Sequence, residues 1–174
     1  MTDYGQIFAD STERLEVYSA ITMVGKEQLK EFEPQVRAYL DHDDEELVVQ
    51  AINTLGFRWG LPDFKAESER MWRTQANGAT REAAFLSWMS YFALTKDVEA
   101  AGIVMQVIRG SQYSPRMRGT ALGVLGRIFE MKPREFSHAA LAVTDAESAE
   151  EADAQIPWGP LDEFCEEFGI EVVG

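Results

Sequence analysis

Residues 51–59 read Ala-Ile-Asn-Thr-Leu-Gly-Phe-Arg-Trp, and their apolar positions recur twice later in the chain. The shared pattern starts with an alanine that is followed directly by a large apolar residue. A second large apolar residue stands three positions after the first, and an aromatic residue stands four positions after the second. Residues 84–92 and 121–129 repeat it at offsets of 33 and then 37 residues. A repeat of this period is typical of stacked helix pairs, because one pair cannot bury its apolar face alone. The sequence therefore predicts an all-α protein, a right-handed α-solenoid of about four antiparallel helix pairs.

Apolar residues at helical spacing, separated by turn-forming residues, predict helices along most of the chain. The first ends at Gly25 and is predicted to bury Leu15, Tyr18 and Ile21, and Pro34 is predicted to kink or divide the second. We treat residues 1–134 as the repeat body and residues 135–174 as an acidic C-terminal capping segment of the same domain. The helices after the first are predicted at 26–40, 44–58, 64–75, 79–94, 98–109, about 115–130 and around 161–168.

Residues 34–56 resemble a complete repeat of the HEAT family. Pro34 stands in the first helix, Asp41 and Asp43 in the turn, and Ala51 and the pair Leu55-Gly56 in the second helix. The resemblance implies a HEAT-like solenoid over about residues 26–130. It is nearly silent on function, since such repeats serve many partners.

Residues 117–126 resemble the second HEAT helix again, including the arginine that the family places there, Arg118. Arg81 is its predicted counterpart in the middle unit, whereas Val48 replaces it in the first. Gln75 and Gln112 stand near the positions of the family's turn aspartates. The resemblance therefore implies only an incomplete ladder of Asp–Arg contacts.

Acidic charge is concentrated near the C-terminal end. Residues 1–134 hold 19 acidic and 16 basic side chains, and residues 135–174 hold 11 acidic side chains and no Lys or Arg. The two ranges carry −3 and −11, which together give the net charge of −14. This asymmetry favours a basic partner and salt-sensitive association, and it disfavours nucleic acid. A solvated tail, or an acidic proteome, would produce the same balance.

Composition predicts a soluble cytoplasmic protein. The apolar fraction of 45%, with ten Phe and four Trp, argues against general disorder. The single cysteine, Cys165, can form no internal disulfide and is predicted to be a buried thiol. The N-terminal residues lack the basic and apolar regions of a secretory signal, and no apolar run approaches about 20 residues. We therefore expect no membrane partner.

The residue types that serve in catalytic and metal sites do not stand at the spacings that such sites require. His42 and His138 lie in different units, and no Cys or His stands at metal-ligand spacing. The acidic run 41–46 lacks the central glycine and the final glutamate of a calcium loop. No phosphate-binding loop or nucleophile elbow is found. The sequence thus predicts no catalytic residue, metal or cofactor, and a protein that is not an enzyme.

Two segments are candidates for recognition. One is the edge formed by an inter-helix turn and the exposed face of the following helix; the other is the acidic C-terminal segment, for which an interface and a cap over the last repeat both remain open. Phe164 and Phe168 favour the cap, and reversing Glu150, Glu151 and Asp153 to Lys is expected to leave folding nearly unchanged. The predicted partner-binding residues are Asp43, Asp44, Glu45, Glu46, Gln50 and Asn53 in the first segment, and Glu147, Glu150, Glu151, Asp153 and Trp158 in the second.

Together these features predict a protein-binding module that masks a basic protein partner. The most concrete version is an immunity or antitoxin-like inhibitor of a nuclease-type toxin, whose acidic charge would speed capture. The alternative is a scaffold or adaptor that binds through a concave helical face. An inhibitor predicts one tight, strongly salt-dependent partner, whereas an adaptor predicts several weaker and less charge-dependent ones. A HEAT-like nucleic-acid enzyme is disfavoured by the charge.

Overall fold

The computed structural model describes residues 2–74, 78–129 and 134–171, and for Arg134 and Glu135 the backbone alone. In these ranges the chain contains helices and no strand, which confirms the predicted all-α class. It forms two compact units, Met1–Tyr91 and Phe92–Gly174, which we call unit 1 and unit 2. No helix in the described ranges is long and apolar enough to cross a membrane.

In the part of unit 1 that the structure describes, there are six α-helices and three short segments of other helical type. Two 3-10 turns, Lys30–Phe32 and Tyr39–Asp41, flank α3, and a π-helix, Asn53–Arg58, continues α4. Asp3 and Asp44 cap α1 and α4 by accepting hydrogen bonds from backbone N–H groups of the first turn. The α-helices are α1 Tyr4–Asp10, α2 Arg14–Lys26, α3 Glu33–Ala38, α4 Glu45–Ile52, α5 Phe64–Thr74 and α6 Gly78–Ser90.

The described residues of unit 2 form five α-helices. Asp97, Ser114 and Ser148 cap the first, second and fourth of them through their side-chain oxygens. The helices are α7 Val98–Arg109, α8 Pro115–Ile128, α9 Arg134–Asp145, α10 Ala149–Gln155 and α11 Trp158–Phe168.

The repeated apolar pattern forms the core of both units. The first three positions of each copy fall on α4 with its π-helical continuation, on α6 and on α8, and the aromatic position follows the end of each of these elements. All twelve positions are buried. Within unit 1, α4 packs against α2 and α6, and α6 packs against α5. Within unit 2, α8 packs against α7 and α9. The core predicted from the repeat is therefore confirmed.

Glycines let neighbouring helices approach closely in each unit. A Cβ on Gly56 would lie 1.6 Å from Ser87 Oγ and 2.8 Å from Ser87 Cβ, so α6 occupies the space that a side chain would need. In unit 2, a Cβ on Gly119 would lie 2.6 Å from the Ala140 carbonyl oxygen of α9. The absence of a side chain at Gly56 therefore lets α6 pack closely against the π-helix.

The two repeat arginines make the same contact. Arg81 Nε donates to the Trp72 carbonyl oxygen at 2.9 Å, and Arg118 Nε donates to the Ile108 carbonyl oxygen at 2.7 Å. Each arginine stands three residues before its repeat alanine and binds near the C-terminal end of the preceding helix. Their predicted equivalence is confirmed by this shared geometry.

Several local predictions for residues 11–60 are corrected. Residues 26–40 do not form one divided helix; Pro34 stands at the start of α3, where its missing N–H costs no intrahelical bond. The preceding break occurs at Gln28, which has a positive φ of 59°. On α2 the buried residues are Val17, Ala20, Ile21, Val24 and Gly25, so Leu15 is 70% exposed and Tyr18 is also exposed.

The sequence prediction also missed α1, α9 and α10. The signal for α9 was present, since Phe136, Ala140 and Val143 are buried at the i, i+4, i+7 spacing of a helix face. Residues 79–94 were predicted as one helix, but α6 ends at Ser90. Gln75 and residue 130, where the helix from 115 was predicted to end, lie outside the described residues.

Candidate partner-binding surface

The predicted acidic edge of unit 1 is largely engaged within the chain. Asp44 is half-buried, caps α4 and lies 3.7 Å from Arg14 Nη1. Glu46 pairs with the same arginine at 3.0 Å, and Glu45 Oε1 accepts from the backbone N–H of Thr80 at 3.3 Å. These carboxylates therefore cap α4 or bind neighbouring helices, although Glu45 and Glu46 stay exposed to solvent.

Of the other residues in this predicted edge, one is buried, one is half-buried and one is exposed. Gln50, predicted to be exposed, is only 5% exposed, and its Nε2 donates to Thr22 Oγ1 at 2.8 Å. That prediction was wrong because α2 packs on this face of α4. Asn53 is half-buried in the π-helix. Asp43 is exposed, and its side chain makes no hydrogen bond or ion pair with the part of the chain that the structure describes.

Several residues of the acidic segment 147–153 form hydrogen bonds within the chain. Ser148 caps α10, and Glu151 accepts the backbone N–H of Glu147 at 2.9 Å, as in a capping box displaced by one residue. Asp153 Oδ1 accepts from Arg118 Nη2 at 2.8 Å. Glu150 is exposed and makes no such contact among the described residues. The expectation that all three carboxylates can be reversed without effect on folding is therefore corrected for Glu151 and Asp153.

Arg118 is the most deeply buried charge that the structure describes. Its side chain is 1% exposed, and besides Asp153 and the Ile108 carbonyl it donates to the Ala149 carbonyl oxygen at 3.3 Å. These bonds join α7, α8 and the start of α10. The repeat arginine of unit 2 thus anchors the acidic segment.

Aromatic rings attach α11 to the third repeat. Phe164 and Phe168 lie 5.6 and 4.5 Å, centroid to centroid, from Phe129, the aromatic residue that ends the pattern. The predicted cap is confirmed for these two residues. Trp158 is half-buried, and its Nε1 donates to the Asp153 carbonyl oxygen at 3.2 Å. Cys165 is buried, and burial raises the pKa of its thiol above the ordinary value.

The outer face of α11 carries acidic side chains that are exposed and unpaired within the described residues. Glu163, Glu166 and Glu167 are exposed and make no ion pair within the described residues. On the same helix Asp162 pairs with Arg109 at 2.7 Å. The helix pattern shows these glutamates opposite the buried aromatics, but the prediction favoured residues 147–153 instead. Glu163, Glu166 and Glu167 together form what we call the α11 acidic face.

A polar cluster in unit 1 was not predicted. Arg37 pairs with Glu33 at 2.7 Å and Glu67 at 3.1 Å, and it also binds Asp63. Beside the cluster, the Tyr91 hydroxyl donates to the Leu61 carbonyl oxygen at 2.7 Å. Burial, followed by the negative charge of Asp63, raises the Tyr91 pKa to about 12, against a smaller opposite effect of Arg37.

This pKa predicts a late tyrosinate signal and an alkaline loss of stability. The folded pKa of Tyr91 lies above the ordinary 10.0. Its contribution to stability is therefore complete below pH 10 and is lost as the pH rises towards 12. In an ultraviolet phenolate titration of the five tyrosines, the last ionisation step should disappear in Tyr91→Phe. Retention of that step in the variant would assign it to another residue.

In the described ranges, no group of three or more His, Cys, Asp or Glu side chains is arranged to hold a metal ion. Comparisons with known protein families, curated proteins and solved structures found no match for the chain. The HEAT resemblance therefore stays a prediction that rests on the residues quoted above.

Proposed function

We propose that this chain is a non-catalytic binding module that masks a basic protein partner, most concretely as an immunity or antitoxin-like inhibitor of a nuclease-type toxin. Nuclease substrate sites are cationic, and a small acidic protein can cover such a site without catalytic residues of its own. The right-handed HEAT-like stack and a cytoplasmic location belong to the same proposal.

The α11 acidic face is the observation that supports this proposal best. Its three carboxylates are exposed and make no ion pair among the described residues, and no Lys or Arg occurs in residues 135–174. Like charges held close together on one surface repel one another, so they favour an approaching cation. Phe164 and Phe168 hold α11 on the core of unit 2, so the charges stand on a supported helix.

The test is a charge reversal with a control of equal charge. After affinity capture and mass spectrometry identify a basic partner, Glu163→Lys, Glu166→Lys and Glu167→Lys should be combined in one chain. The association rate at low salt should fall about tenfold or more, and its salt dependence should flatten. The matched control reverses Asp10, Glu31 and Asp41, which are exposed in unit 1 and make no ion pair in the described residues. Equal loss in both variants would show that only net charge matters.

The scaffold alternative draws support from unit 1. Leu15 and Phe57 are 70% and 52% exposed, which is unusual for large apolar side chains on ordered helices. An adaptor would lose several partners in Leu15→Ser and Phe57→Ser and keep them in the α11 reversal. An inhibitor would show the opposite result.

A further inference from the structure

The outer face of α7 forms one side of a groove in unit 2. At about 100° per residue, positions 98, 99, 102, 103 and 106 fall on one side of a helix. The remaining residues from Ala100 to Ile108 are buried in the core. Val98 is 39% exposed and Ile103 is half-buried, so the outer face keeps apolar surface in contact with solvent.

Two glycines create the opposite wall. Gly169 adopts a positive φ of 63° at the end of α11 and turns the chain, and Ile170 then returns to the core. The next residue crosses α7 at Gly102, where a Cβ would stand 2.9 Å from the Glu171 carbonyl oxygen. The absence of a side chain at Gly102 therefore lets residues 169–171 lie against the helix.

The groove between these walls has a volume of about 630 Å³. This volume lies within the range of about 300–1,000 Å³ that small ligands and single side chains occupy in protein pockets. Val98 and Ile103 supply its apolar lining, and Glu99 and Glu171 supply carboxylates. Neither carboxylate makes an ion pair within the described residues, so both are available to an incoming cation.

We propose that this groove binds an arginine or lysine side chain of the basic partner, presented on an apolar segment. The methylene stem would pack on Val98 and Ile103, while the cationic head reaches Glu99 or Glu171, because long basic side chains bury their stems and keep their charges paired or hydrated. This inference rests on the proposed function. It adds a specific pocket to the general attraction of the α11 acidic face.

The probe is a fluorescein-labelled peptide with one arginine between two leucines, compared with the same peptide carrying citrulline, which keeps the shape and removes the charge. Fluorescence anisotropy at low salt should show tighter binding of the arginine peptide. Glu99→Gln and Glu171→Gln should each weaken it by about two- to fivefold and leave citrulline binding unchanged. Ile103→Ser should weaken both peptides by about fivefold.

The matched control is Glu31→Gln, which removes the same charge from an exposed position of unit 1, outside both the groove and the α11 acidic face. It should leave binding of the arginine peptide unchanged. In the amide nuclear magnetic resonance spectrum of the full chain, the peptide should shift the signals of Gly102, Ile103 and Gly169. The groove assignment is overturned if the two peptides bind equally, if the arginine peptide does not bind, or if Glu31→Gln matches the loss in Glu99→Gln. Shifts caused by self-association of the chain, seen by sedimentation without peptide, would overturn it as well.

The two proposals can fail separately. If the chain captures a basic protein and the groove variants bind it normally, the groove is wrong and the proposed function stands. If the peptide binds as described and no basic protein is captured at any salt concentration, the groove stands and the proposed function is wrong.

Discussion

Replacing Gly56 with alanine should destabilise unit 1 by about 3 kcal/mol, near the upper end of what overpacking costs in protein cores. The new methyl group would overlap Ser87 Oγ at 1.6 Å and would approach Phe64 Cδ1 at 3.2 Å. Ser87 and Phe64 are both completely buried, so neither side chain can swing into solvent to relieve the overlap. Relief requires a shift of α6 away from the π-helix. Chemical denaturation followed by circular dichroism measures the loss.

A second substitution tests this reason. Ser87→Gly removes both atoms that the new methyl group would meet most closely, so Gly56→Ala with Ser87→Gly should recover much of the loss, although Ser87→Gly alone weakens α6 by about 1 kcal/mol. Gly78→Ala is the control, because a Cβ there meets nothing within 4 Å. It should be neutral or slightly stabilising. Strict additivity of the two substitutions in a double-mutant cycle would show that the helices do not meet as described.

The repeat made this core predictable from the sequence. An alanine and large apolar residues at this spacing form one apolar face of a helix, and that face must be covered by a neighbouring helix. The positions of the pattern could therefore be predicted to be buried. Boundaries were less predictable because local geometry decides them. Nothing in residues 53–58 announces a π-helix, and the end of α2 depends on a positive φ at Gln28.

The acidic residues show a limit of another kind. Sequence identifies a carboxylate but not its neighbours, so Asp44, Glu45 and Glu46 were predicted as an open surface, although they cap helices or pair across them. Glu163, Glu166 and Glu167 had the clearer signal, since they stand opposite Phe164 and Phe168 on one helix. The groove beside Gly102 could not be predicted at all, because it requires residues 102 and 171 to meet.

Arg118→Met should cost about 3 kcal/mol of stability, because the two backbone carbonyl oxygens lose a buried donor, whereas the Asp153 carboxylate is 57% exposed and can bind water instead. Methionine fills most of the volume but leaves three acceptors without their donor: the carbonyl oxygens of Ile108 and Ala149 and the Asp153 carboxylate. Because these acceptors lie on α7 and α10, the loss should loosen the acidic segment as well as the core. Hydrogen exchange of α10 amides should rise together with the fall in thermal stability.

Arg109→Met provides the matched control, because its ion pair has nearly the same length and a different environment. Arg109 lies 2.7 Å from Asp162 and is 41% exposed, whereas Arg118 lies 2.8 Å from Asp153 and is 1% exposed. Exposed pairs contribute less than about 1 kcal/mol, so Arg109→Met should change stability little. Asp153→Asn should fall between the two, since it removes the negative charge but keeps an amide oxygen that can accept from the guanidinium. Equal losses in Arg109→Met and Arg118→Met would mean that burial does not set the strength of the Arg118 contact, and α10 would then need another anchor.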